Sequence, residues 1–223
     1  DSLPHPMQLA PISSAPRSPK ESPATLQNMR LASQPDDLAS AVLLADALLR
    51  QARASNDGRP AARAAEVLKA ALTESPGAYD ALRLLGAAYL SLHRFDEALE
   101  IGERARSMRP ADAWNYGVIG DAHLELGDYD AAFESFDEMT RMRPSAAAYA
   151  RVAYARELSG DMDGALSAMQ MALDAAPPQD FEGQAWTATQ LGELHLKMGR
   201  PADAERELGR KAPHPDGNGN AHE

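Results

Sequence analysis

Apolar residues in the middle of the chain recur at steps of three and four. Leu82, Leu85 and Tyr89 mark one such stripe, and Tyr116, Ile119 and His123 mark another. That spacing lays the side chains along one face of an α-helix. Each stripe ends at a turn signal, read as Gly127-Asp128-Tyr129, Gly160-Asp161-Met162 and Gly199-Arg200-Pro201. Glycine suits the left-handed residue that closes a helix. A second helix is predicted to start near Phe95, Tyr129 or Met162 and to run to a proline. The pattern therefore predicts helices in pairs.

The pairs recur. Pro76, Pro110, Pro144 and Pro177 stand 34, 34 and 33 residues apart. Ala64, Ala98, Ala132, Ala165 and Ala204 follow at 34, 34, 33 and 39, and Gly86, Gly120, Ala153 and Gly192 at 34, 33 and 39. Three series with one period identify a repeat, in which each unit buries its apolar stripe only by stacking on the next.

A small residue, an aromatic three later, glycine, a second aromatic, alanine and a closing proline together resemble the tetratricopeptide repeat. Gly120, His123, Gly127, Tyr129, Ala132, Phe136 and Pro144 form the cleanest copy. Gly86, Tyr89, Phe95, Ala98, Ala105 and Pro110 form another, with His93 where glycine is usual. Ala153, Gly160, Met162, Ala165, Ala172 and Pro177 form a third, and Gly192, His195, Gly199, Ala204 and Leu208 a fourth, after an insertion over 179–183. A divergent unit over 36–76, with a longer first helix, precedes them. The resemblance implies an all-α fold, a right-handed α-α solenoid of about five helix pairs, similar to the bacterial members of the family. The expected units are 36–76, 79–112, 113–145, 146–178 and 185–211. Small residues are expected to face each other where paired helices cross, Gly86 against Ala98 and Gly120 against Ala132.

The two ends differ from the solenoid. Residues 1–35 hold seven prolines and six serines without helical spacing, which predicts an extended, polyproline-like arm. Its apolar residues Leu3, Met7, Leu9 and Ile12 are the expected arm contacts. Residues 212–223, rich in glycine and proline, read as a tail. The chain starts at Asp1 rather than Met, so it is expected to be a processed product or a piece of something longer. Export, to a periplasm for example, is the expectation for its location, with the cytoplasm as the alternative.

Composition narrows the chemistry. Cysteine is absent, which removes disulfide scaffolds and thiol catalysis. A net charge of −11 disfavours a nucleic-acid backbone, whose affinity comes from lysine and arginine. It also weighs against the RNA-binding helical repeats of similar period. His93, His123 and His195 lack metal-ligand spacing, and His123 and His195 occupy a position that normally holds a packing tyrosine. Met139, Met142, Met169 and Met171 read as flexible core filler. No nucleophile elbow, phosphate-binding loop or dinucleotide fingerprint occurs, so no catalytic residue, cofactor or metal is expected.

A groove remains. The family resemblance implies that first helices line a concave surface with fixed positions pointing into it. These positions read Asp80, Arg83 and Ala87, then Trp114, Gly117, Asp121, Leu124 and Glu125. Arg151, Tyr154 and Glu157 follow, and finally Trp186, Gln190, Glu193 and Lys197. Five carboxylates face three cations there, which favours a neutral or basic partner segment with an apolar anchor. The family's clamp for acidic chaperone tails needs asparagines that are missing. The expectation is a non-catalytic scaffold that binds another protein in this groove. The alternative is an accessory subunit of a larger, membrane-associated assembly docked by its arm.

Overall fold

A computed structural model describes residues 37–209. The arm contacts Leu3, Met7, Leu9 and Ile12 and the tail over 212–223 lie outside the described residues. Within them every regular element is helical. The order is α1 (Leu38–Ser55), α2 (Gly58–Glu74), α3 (Tyr79–Ser91), α4 (Phe95–Met108), α5 (Ala113–Leu126), α6 (Tyr129–Met142), α7 (Ala146–Leu158), α8 (Met162–Ala175), α9 (Phe181–Lys197) and α10 (Pro201–Leu208). They group into two compact units that divide between Arg143 and Pro144.

Local chemistry sets the helix ends. The N–H groups of Arg94, Asp128, Asp161 and Arg200 each reach the carbonyl five residues back at 2.9 Å. This bond closes α3, α5, α7 and α9 over one left-handed residue. Gly127, Gly160 and Gly199 supply it with φ of 84°, 82° and 70°, and His93 with φ of 56°. Asp128 and Asp161 then cap the next helix by accepting from the N–H of Ala131 and Gly164. One Gly-Asp pair thus stops a helix and starts its partner.

In the first unit each second helix packs on its own first helix and on the next one, α2 on α3 and α4 on α5. The first helices also meet directly, α1 with α3 and α3 with α5, whereas α2, α4 and α6 make at most marginal contact with each other. First helices therefore form one continuous row of this unit, and second helices do not. Its core runs through Leu44, Leu48, Leu49, Leu68, Leu82 and Leu85 and a set of fully buried alanines. In the second unit α7 packs on α8, α8 on α9 and α9 on α10.

The helix crossings differ from the expected pairs of small residues. A Cβ placed on Gly120 would stand 2.5 Å from the Phe136 ring, with Ser135 next, so Phe136 rather than Ala132 covers it. Gly192 is covered in the same way by Leu208, 2.8 Å from such a Cβ. Gly86 is met not by Ala98 but by Val118 from the following pair, at 3.0 Å, and Gly102 by Ile119 at 2.9 Å. The reason is size. The residue sixteen positions after the small one is Phe136 or Leu208 in two pairs but Gly102 in the α3–α4 pair, so the next helix fills the space.

Candidate functional site

The first-helix row of the first unit carries Arg83 on α3 and Trp114, Asp121 and Glu125 on α5. Trp114 is held from below. Asp112 caps α5, accepting from the Trp114 N–H at 3.0 Å. Its other oxygen accepts from the Tyr79 hydroxyl at 2.8 Å, and Asn115 Oδ1 stands 3.0 Å from the same hydroxyl. Asn115, 1% exposed, donates in turn to the Arg109 carbonyl at 3.0 Å. The Arg109 guanidinium lies 4.0 Å from the centre of the Tyr79 ring. Burial and the bond to Asp112 push the Tyr79 hydroxyl up to about 12. Burial would raise the Asp112 carboxyl, but the Trp114 N–H, the Tyr79 hydroxyl and the charges of Arg83 and Arg109 outweigh it and hold it below its usual range. The sequence reading did not single out this network.

Above it the Arg83 guanidinium stacks on Trp114, 4.6 Å from the ring centre. Both side chains are half-buried. Arg83 Nε and Trp114 Nε1 are closed to water and have no acceptor among the described residues. Farther along α5, Asp121 is half-buried and Glu125 exposed. Burial and the charge of Asp121 push the Glu125 carboxyl above its usual range, against the opposing pull of His93. Four of the expected contacts therefore share one face, and two of them touch.

In the second unit Tyr154, Trp186 and Gln190 are half-buried and Glu193 is exposed. Glu157 is paired with Lys197, 2.5 Å from Oε1 to Nζ, which ties the ends of α7 and α9 together. Arg151 departs from expectation. It is 5% exposed and donates from Nη1 to the Ala147 carbonyl one turn back, so it is a buried group and not an open contact. Away from this face, His123 Nδ1 lies 3.5 Å from Asp128 Oδ2. Among the described residues no three histidine or carboxylate side chains cluster as metal ligands, and no described helix is long and apolar enough to cross a membrane.

Comparison with known proteins agrees with this geometry. Two family models, both described as tetratricopeptide repeat, match residues 61–114 and 118–180. No curated protein matches. Among solved structures, TTC0263, a thermophilic TPR protein of Thermus thermophilus, is 22% identical with a TM-score of 0.60, over 86% of this chain and 91% of that one. MamA from Desulfovibrio magneticus RS-1 is 17% identical with a TM-score of 0.54, over 75% and 91%. YrrB, described as a TPR protein with an unusual peptide-binding site, is 16% identical with a TM-score of 0.51, over 83% and 90%. At such identities the likeness is one of fold. The chain is a tetratricopeptide-repeat protein, an all-α stack of helix pairs of a kind that generally serves as a protein-interaction module.

Proposed function

We propose that this protein is a non-catalytic scaffold that holds a segment of another protein against its first helices. The observation that carries the reading is Trp114: a half-buried indole on the first-helix row of the first unit, under a stacked arginine. Large aromatics flanked by arginine are the residue types that dominate binding at interfaces. The partner segment carries an apolar anchor for this indole. The peptide-binding site described for YrrB supports the same use of the fold. Trp186, with Tyr154, Gln190 and Glu193, gives the second unit a contact set of its own.

The test is capture of the native partner by the full chain, compared with Trp114→Ala and Trp186→Ala. At a true anchor, truncation weakens binding by about 2 kcal/mol or more. Undiminished affinity in both variants removes the concave face from the account. Deleting residues 1–30 in parallel separates this reading from docking through the N-terminal segment. Loss of partner in that deletion alone assigns the contact to the segment.

A further inference from the structure

The reading above leaves the charge of the bound segment open, and the first unit carries two features that define it. The first is the Arg83–Trp114 pair. Arg83 forms no ion pair or hydrogen bond among the described residues, and its Nε and the indole Nε1 are both buried donors without an acceptor. Those two atoms are as far out of reach of an incoming group as of water, so an arriving acceptor meets the terminal amino groups of the half-buried guanidinium, which are not closed off. A carboxylate suits them best, because it accepts from both and adds to the single nearby carboxylate, Asp112, whose charge Arg83 already balances.

The second feature is Glu125, which forms no ion pair among the described residues and lies one turn from Asp121 on the same helix. Two carboxylates one turn apart on this stretch of α5 favour an arriving cation over an anion, and the charge of His93 offsets only part of theirs. Trp114 and Glu125 are eleven residues apart on α5. At about 1.5 Å of rise per residue the two points are ~16 Å apart. An extended chain covers that distance in about five residues, at roughly 3.3 Å each.

We propose that the concave face of the first unit recognises an extended segment in which an internal acidic side chain and a basic one stand about five residues apart, the acid on the Arg83 guanidinium where it stacks on Trp114 and the base on Glu125. This rests on the scaffold reading and gives the partner its charge order. A count of carboxylates against cations over all the expected contacts misses that order, because Arg151 is buried and Lys197 is already paired with Glu157.

A library of random twelve-residue peptides displayed on phage, selected on the full 223-residue chain, tests the proposal. Selections on Arg83→Gln and Glu125→Gln run beside it, with helicity checked by circular dichroism. Glu125 is exposed, so its variant folds whether or not the Arg83 variant does. Peptides enriched on the unaltered chain are expected to carry the acid–base pair at the stated spacing. The acidic preference should vanish on Arg83→Gln and the basic one on Glu125→Gln. In a selected peptide, replacing the acidic residue by its amide should weaken binding at least tenfold on the unaltered chain. On Arg83→Gln the same change should matter less than twofold. Binders without the charge pair, a preference unchanged in both variants, or no enrichment would overturn the proposal. If binders lack the charge pair but are lost on Trp114→Ala, the scaffold reading survives and only the charge order falls. If they bind Trp114→Ala and Trp186→Ala undiminished, the scaffold reading itself fails.

Discussion

A methyl group at Gly120 would meet the Phe136 ring at 2.5 Å, backed by Ser135. Gly120→Ala is therefore expected to overpack the α5–α6 crossing and to cost about 1–3 kcal/mol in urea denaturation. An unchanged midpoint would mean the ring has room to move. His93 presents the opposite case. It holds φ of 56° at a turn where the other caps of this geometry are glycine, and a side chain in the left-handed region costs about 1 kcal/mol. His93→Gly should raise the melting temperature, even though the edge contact of His93 on Phe95, with ring centres 5.6 Å apart, is lost. At this scale the sequence is partly legible. The substitution of histidine for the usual glycine can be read directly, because the turn signal is local. The partner of Gly120 cannot, since Ala132 and Phe136 both lie on the facing helix one turn apart and only the crossing geometry chooses between them.

Between elements, the Tyr79–Asp112–Asn115 network fastens the start of α3 to the start of α5. Removing the hydroxyl in Tyr79→Phe leaves buried Asn115 and Asp112 short of a partner, an effect of about 1–3 kcal/mol. Its pH signature has a definite sign. An unfolded tyrosine ionises near 10 and the folded one at about 12, so the unfolded chain sheds its proton first. The contribution is complete below pH 10 and disappears as pH rises towards 12. On the acid side Asp112 is held below its usual range. Its contribution is present above the unfolded value near 4 and is lost as pH falls through the folded one. Chemical denaturation across pH should show both losses, and Tyr79→Phe should lack the alkaline one. Tyr79 and Asp112 are 33 residues apart, a full repeat, so no helical or turn pattern links them. The cap at Asp112 was not read from the sequence, and its second bond, to a side chain one repeat away, has no local signal at all. The buried Arg151 was equally hidden: its repeat position says which row it stands in and nothing of what packs over it.

On the scale of the molecule, the described residues give the first unit three helix pairs and the second two. Repeats that share a core through stacking generally need three units for stability. A fragment of residues 1–143 is therefore expected to melt cooperatively by circular dichroism. A fragment of residues 144–223 should melt at a markedly lower temperature or be unfolded at 25 °C. Equal melting temperatures would show that each pair stands on its own. The period of the repeat was plain from the sequence, because proline, alanine and glycine each mark it, but the division into two units has no such marker. Gly86 and Gly102 add a further constraint. They leave a hollow in the α3–α4 pair that Val118 and Ile119 of the next pair fill. That pair is thus not an interchangeable brick. Engineers who shuffle or transplant repeats must carry α3 through α5 as one indivisible cassette, or supply a successor with matching branched side chains.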